Sequence, residues 1–395
     1  MYDVIVVGAR VAGASTALLF AQAGYRVLLA DRAHFPSDTL STHYIHQPGV
    51  ARMARWGVLD TVRATGCPAL ERTIYQVGDV RLDGCSVPHD GQRAAYAPRR
   101  YLLDKILIDA AVAAGAEFRE GCSAAGPVFD GDRVVGVAFR SSDGGTYEER
   151  ARLSVGADGM RSVLAKGVRA EFIVHDELQT CIYYTYWQGF QSDFELYERP
   201  GRWIGAVPTN DGATLIAAYH PQSEFDRVRG DALANYLENI QTTAPDLYER
   251  AVTGERVERL RGTGDQQNFF RQPSGPGWAL VGDAAHHKDS ITARGISDAF
   301  LQSDLLFDSV GTALQDPGRL DEGLRDYAQQ LPDELFEGYR NTLFTSRLEV
   351  TPDRMTMLRA LSQSPELTAK YFAAAAGGMS VEDLYDDDLH QALAA

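Results

Sequence analysis

Residues 3–7 (DVIVV) form a near-continuous apolar run that stops at Gly8, the pattern of a strand buried on both faces in a parallel sheet. A helix is predicted over 13–23, broken by Gly24, and a second strand over 26–31, completing a βαβ unit. Residues 33–47 lack periodicity and read as a long functional loop, after which Pro48 opens a helix reaching Trp56. Short strands are expected over 73–82 and 86–97. Apolar residues at helical spacing over 101–114 predict a helix ending at Gly115. Residues 127–155 alternate in short β segments, turned at Asp130-Gly131 and at Asp143-Gly144-Gly145. Strand patterns return from 180 to 220, helical ones over 224–251, and a buried strand over 277–281 precedes Gly282. Helical patterning dominates from Gly295 onward.

A chain of 395 residues suggests two or three domains, and 45% hydrophobic with 23% charged residues excludes disorder, collagen and coiled coil. The net charge of -16 repels phosphate backbones, so neither nucleic acid nor an anionic membrane is an expected partner. No apolar run is long enough to span a bilayer. The strand starting at Asp3 leaves no room for a leader, so a soluble cytoplasmic protein is expected. The four cysteines form no C-x-x-C pair and read as reduced thiols. His286-His287 lacks partners at ligand spacing, so no metal is expected.

Three short motifs carry the chemistry. Gly8-Ala9-Arg10-Val11-Ala12-Gly13, with Ala14 behind it, lies between strand and helix, where glycines permit a tight turn and close approach of a diphosphate. Asp31, followed by Arg32, ends the second strand and is placed to accept hydrogen bonds from a ribose 2′-hydroxyl. Gly156-Ala157-Asp158-Gly159 follows another apolar strand. Gly282-Asp283-Ala284-Ala285-His286 follows Trp278-Ala279-Leu280-Val281 and precedes the helix near Gly295-Ile296. Each is weak alone; their order and spacing are the signal.

In that order the motifs resemble the FAD-dependent monooxygenase superfamily of the aromatic-hydroxylase type, related to flavin halogenases and geranylgeranyl reductases, over about residues 1–310. The resemblance implies an α/β fold: a Rossmann-like FAD-binding domain (1–72, 97–168 and 265–320), an inserted β-sheet substrate domain (73–96 and 169–264) and a helical C-terminal tail (321–395). It implies non-covalent FAD, with Asp283 accepting from ribityl hydroxyls and Asp158 near the diphosphate. The helix at Gly295 would turn its positive end toward the flavin. Arg100, in R-Y-L-L-D, matches an FAD-contacting arginine, with Arg99 the competing choice. NAD(P)H would dock transiently near Asp158, or a separate flavin reductase would supply electrons. The implied reaction inserts one oxygen of O2 into a small aromatic or polyketide-like metabolite through a flavin C4a-hydroperoxide.

The chain departs from the pattern where Ser290, Thr292, Gly295 and Ser297 hold the offsets of the usual P-x-G-x-x-G-x-N, which assigns Ser290 to the flavin-face loop. The halogenase W-x-W-x-I-P stretch survives only as Trp203 and Pro208, and no lysine precedes Lys105, which argues against halogenation. Tyr184 and Tyr186 share one strand face, Tyr183 and Trp187 the other. Tyr184, Tyr186, Trp203 and Pro208 are the expected substrate pocket. His43, in Ser41-Thr42-His43, is an acid/base group or flavin contact on one reading and a hydrogen-bonding loop residue on the other. Two further alternatives are a reductase or dehydrogenase of the geranylgeranyl-reductase type and a nicotinamide dehydrogenase without flavin.

Overall fold

Register in the first sheet decides where the three glycine turns go. In the computed structural model, which describes residues 1–141 and 144–394, the strand Tyr2–Val7 pairs in parallel with Val27–Ala30 on one side and Thr146–Gly156 on the other. Trp278–Leu280 extends that sheet in parallel beyond Thr146–Gly156, and Glu117–Arg119 beyond Val27–Ala30. Val7 is opposite Gly156, and Gly156 opposite Leu280. Three strands separated by more than a hundred residues each therefore end at one level. The chain turns off the sheet there at Gly8, Ala157 and Gly282.

The apolar run of the first strand is explained by burial on both faces. Val4, Val6, Val27 and Leu29 face a core built with the helices Val11–Gln22, Arg100–Ala113 and Gly295–Val310. Ile5, Val7, Leu28 and Ala30 face the meander of Ala124–Asp130, Arg133–Arg140 and Thr146–Gly156. The Ser303 hydroxyl meets those of Ser15 and Thr16 at 2.8 and 3.0 Å, joining the first and late helices.

A second sheet runs in the order Glu255–Arg256, Thr180–Gln188, Thr214–Pro221, Arg202–Pro208, Phe194–Arg199, Arg72–Val77, Val80–Cys85. Period-two alternation sorts its side chains. Tyr183, Trp187, Ile204 and Ile216 pack on Tyr236, Ile240 and Leu247 of the helices behind the sheet. Tyr184, Tyr186, Trp203, Val207 and Tyr219 face the other way. The C-terminal helices cover part of that inner face, because Leu348, Leu358, Leu361 and Phe372 share its core. A buried pair pins them there: Arg354 donates to both Glu198 oxygens at 2.6 Å, and Tyr75 donates to Glu198 at 2.6 Å. The C-terminal segment is thus a wall of the molecule.

The two short strands expected over 73–82 and 86–97 are not found as such, the first being broken by a turn at Gly78-Asp79. The strand after Arg72–Val77 is Val80–Cys85, and 86–97 makes only isolated bridges, since Pro88, Gly91 and Pro98 interrupt any ladder. A short helix at Leu59–Ala64 was not anticipated. Of the turn at Asp143-Gly144-Gly145, Gly144 has φ +87°, while Asp143 lies outside the described residues. Among the described residues no helix is long and apolar enough to cross a membrane.

Candidate active site

The first turn tolerates no side chain at two positions. A β-carbon on Gly8, at φ +102°, would lie 2.4 Å from the Ala157 carbonyl oxygen, and one on Gly13 would lie 1.7 Å from that of Gly8. Gly282, at φ +61°, is equally constrained, its absent β-carbon 2.6 Å from that of Ala12. The glycines therefore serve close packing of the three turns on each other, bringing the start of the first helix beside Ala157 and Gly282. Val11, Ala12 and Ala14 are buried in that packing. Asp31 braces the turn, its two oxygens accepting from the Ala9 and Ala33 amides at 2.7 Å each. Arg32 beside it is exposed.

Arg10 begins the first helix in extended conformation, and its side chain leaves the turn for Asp104 at 2.7 Å. Asp104 is fully buried and also accepts from Arg100 at 3.0 Å, a turn earlier on its own helix. Arg99 diverges toward the second sheet, where it pairs with Asp38 at 3.1 Å and Glu258 at 2.7 Å. The two adjacent arginines thus divide between the first turn and the second sheet. The R-Y-L-L-D pattern alone gives Asp104 no role; its i,i+4 spacing from Arg100 was the available signal.

The helices Val11–Gln22 and Gly295–Val310 begin with no capping side chain, whereas Asp316, Thr351, Ser364 and Ser380 cap four helices of the C-terminal wall. Their first-turn N–H groups remain available to an acceptor from outside. Gly295 is exposed at its helix start and Ile296 buried behind it. Asp283 is exposed, and its carboxylate makes no hydrogen bond among the described residues. Uncapped helix starts beside tightly packed glycine turns, with a projecting carboxylate, fit a dinucleotide with anionic phosphates and hydroxyl-bearing chains. Asp158 acts locally, one oxygen accepting from the Val163 amide at 2.6 Å while the other is buried without a partner. Burial raises that carboxyl above its ordinary range.

The loop at 289–292, expected to face a flavin, is held by polar side chains where the resembled pattern has proline. Asp289 accepts from Thr180 at 2.7 Å and its amide donates to Asn268 at 2.8 Å. Ser290 donates its hydroxyl to Gln266 at 2.5 Å and lies 3.0 Å from the Tyr219 hydroxyl. Thr292 meets Thr342 of the long helix Pro317–Ser346 at 2.8 Å. Behind it, Lys288 and Asp298 form a buried ion pair at 2.5 Å. Burial draws the Lys288 ammonium down to about 8, while Lys288 and Arg294 hold Asp298 down against the opposing effect of its own burial. No motif in the sequence announces the network of Thr180, Gln266, Asn268 and Asp289.

On the sheet, Tyr184 accepts from the Ser41 amide at 3.3 Å, and Tyr186 bonds His43 Nε2. The two rings meet edge to face at 6.0 Å, with the Arg99 guanidinium 4.0 Å over Tyr186. Three tyrosines on one sheet face therefore reach two loops, Tyr184 and Tyr186 the loop at 41–43 and Tyr219 the loop at 290. Trp203 lies elsewhere on this face, tilted against Tyr75 at 5.5 Å in the core shared with the C-terminal wall. Pro208 ends its strand opposite Thr214. His286 is bonded through Nδ1 to the Phe269 carbonyl at 3.0 Å, and His287 through Nδ1 to that of Gln267.

A family model described as an FAD binding domain matches residues 1–303. Digeranylgeranylglycerophospholipid reductase 2 of Methanopyrus kandleri is 26% identical over 365 residues, covering 88% of this chain and 86% of that protein. The flavin-dependent brominase Bmp2 superposes with a TM-score of 0.78 at 18% identity, over 99% of this chain and 97% of that one. PqsL of Pseudomonas aeruginosa, in complex with 2-aminobenzoylacetate, does so with a TM-score of 0.71 at 18% identity, over 94% and 99%. At such identities the two structures show a common fold.

Proposed function

Since the chain belongs to the FAD-binding-domain family of oxidoreductases, we propose that it is a monooxygenase, placing one oxygen of O2 on a small aromatic or polyketide-like metabolite. FAD, when bound, supplies the electron transfer and the oxygen activation. The turns at Gly8, Ala157 and Gly282 would hold its diphosphate end, with Asp283 accepting from its hydroxyl-bearing chain. The uncapped start of the Gly295 helix would favour negative charge on its ring system. Arg10 and Arg100, held by Asp104, keep the first turn in shape. The observation that carries this reading is the tethering of Tyr184, Tyr186 and Tyr219 to both cofactor-side loops. These tyrosines would form an aromatic roof suited to a planar substrate and to excluding water.

Electrons would come from NAD(P)H, either docking transiently or acting through a separate flavin reductase. A second reading, reduction of a C=C or C–N bond without oxygen insertion, is favoured by the likeness to the Methanopyrus reductase over most of both chains. Halogenation is disfavoured: Lys105 is on the surface with Asp109, and Lys288 is buried with Asp298. The deciding experiment follows NAD(P)H oxidation and O2 uptake by the FAD-loaded protein against a panel of aromatic and polyketide-like compounds. Substrate-dependent O2 uptake with oxygenated product supports the proposal. Undiminished turnover under strict anaerobiosis favours the second reading, and a protein that remains colourless when given FAD overturns both.

A further inference from the structure

His43 combines three features that the cofactor framework does not require. It is 1% exposed, has φ +63° although it is not glycine, and its Nδ1 is buried with no hydrogen-bond partner among the described residues. Left-handed backbone and an unmatched buried polar atom are each costly, and they coincide at one side chain.

Proton bookkeeping fixes what that nitrogen is. A neutral imidazole has one N–H and one lone pair. Burial, with Arg100, Arg99 and Arg261 nearby, depresses the imidazolium to about 3, so the ring is neutral at working pH. Its Nε2 faces the Tyr186 hydroxyl. If Tyr186 donates to Nε2, the ring proton is on Nδ1 and one donor is unmatched. The reverse arrangement leaves two groups unmatched, the phenol proton and the Nδ1 lone pair. Burial also keeps Tyr186 protonated, and Arg99 over its ring strengthens it as a donor. The first arrangement is the one that satisfies more of the buried groups.

Building on the proposed function, we infer that His43 Nδ1–H is a binding donor for an oxygen acceptor that the protein does not supply, a carbonyl or ionised hydroxyl oxygen of a bound molecule. Arg99, Arg100 and Arg261 surround the site, each tied to a carboxylate, Asp38, Asp104 or Glu258. The carboxylates offset those charges, Asp38 acting on His43 itself, so the selection comes from the ring: an N–H donor receives an oxygen lone pair and rejects an ammonium group. The acceptor belongs either to the substrate or to the cofactor, and the two are separable.

The test compares wild type with His43→Phe, which removes the donor, and His43→Asn, which retains an N–H and suits left-handed backbone. One arm titrates FAD into cofactor-free protein. The other titrates 4-nitrophenol into FAD-loaded protein and reads the coloured phenolate by difference spectroscopy. A substrate-directed donor predicts phenolate bound by wild type, at least tenfold weaker binding in His43→Phe, and recovery in His43→Asn, with FAD affinity unchanged. A cofactor-directed donor predicts the same pattern in the FAD arm instead. Equal behaviour of wild type and His43→Phe in both arms overturns the inference, as does His43→Asn behaving like His43→Phe. If His43→Phe does not fold, Tyr186→Phe replaces it, because the ring proton is then free to move to Nε2. A severalfold loss in one arm supports the inference, and no loss in either overturns it. Wild type that fails to bind FAD removes the functional reading itself, which is distinct from FAD binding with indifferent His43 variants.

Discussion

Replacing Asp104 by asparagine removes the charge that ties Arg10 to Arg100. Breaking a buried ion pair from one side costs about 3–5 kcal/mol, because the partner charge stays behind uncompensated. Here the Arg100 side chain is 9% exposed and that of Arg10 is 29% exposed, so water screens part of the second contribution. The lower end of the range, about 3 kcal/mol, is therefore expected, roughly a 150-fold fall in the ratio of folded to unfolded protein. With a urea dependence of about 3 kcal/mol per molar, the unfolding midpoint of cofactor-free protein should drop by about 1 M. Arg10 and Arg100 would no longer brace the first turn, and FAD should bind about tenfold more weakly, near 1.4 kcal/mol. Asp60→Asn, which breaks a surface pair with Arg63, is the control and should leave both measurements unchanged. An Asp104→Asn protein that unfolds with wild type and binds FAD equally would refute the role given to this carboxylate.

Three further outcomes are expected. Ser290→Pro loses the hydroxyl and amide donors to Gln266 and leaves Tyr219 without its partner, so it should cost about 1–3 kcal/mol in urea unfolding while FAD still binds; a stabilised variant contradicts the network. Burial raises the Asp289 carboxyl from 3.8 to about 6, so the native state keeps a proton that the unfolded chain releases. That contribution is fully present below pH 4 and lost as pH rises through 6, at most about 3 kcal/mol. Asp289→Asn should accordingly flatten the fall in stability between pH 4 and 6, and an unchanged slope counts against it. Asp283→Ala should lower the FAD content of purified protein without moving the unfolding midpoint of the cofactor-free form, since the carboxylate is exposed; full FAD retention rejects the contact.

The parts legible in the sequence were those with a local period or a local steric demand. The apolar run before Gly8 and the helical spacing after Tyr101 report burial of neighbouring positions, and the alternation of Tyr183 to Trp187 sorted the faces correctly. What was not legible depends on groups far apart in the chain. Asp289 to Thr180 and Ser290 to Tyr219 join residues 109 and 71 positions apart, and no periodicity announces a hydrogen bond of that kind. The same holds for Arg354 with Glu198, which turns an apparent tail into a wall. Asp158 is a different case, a motif residue whose visible contact is the Val163 amide at the start of the short helix after it.

Alignment of Val7, Gly156 and Leu280 at one level has an evolutionary consequence. The excursion between Gly156 and Trp278 leaves and re-enters that platform, and it is tied back to it by Tyr184, Tyr186 and Tyr219. Exchange of that excursion for a relative's would have to carry the tyrosine tethers and the Glu198–Arg354 pair with it, besides the two chain junctions. New substrate ranges in such chains would arise by remodelling the canopy, leaving the foundations untouched.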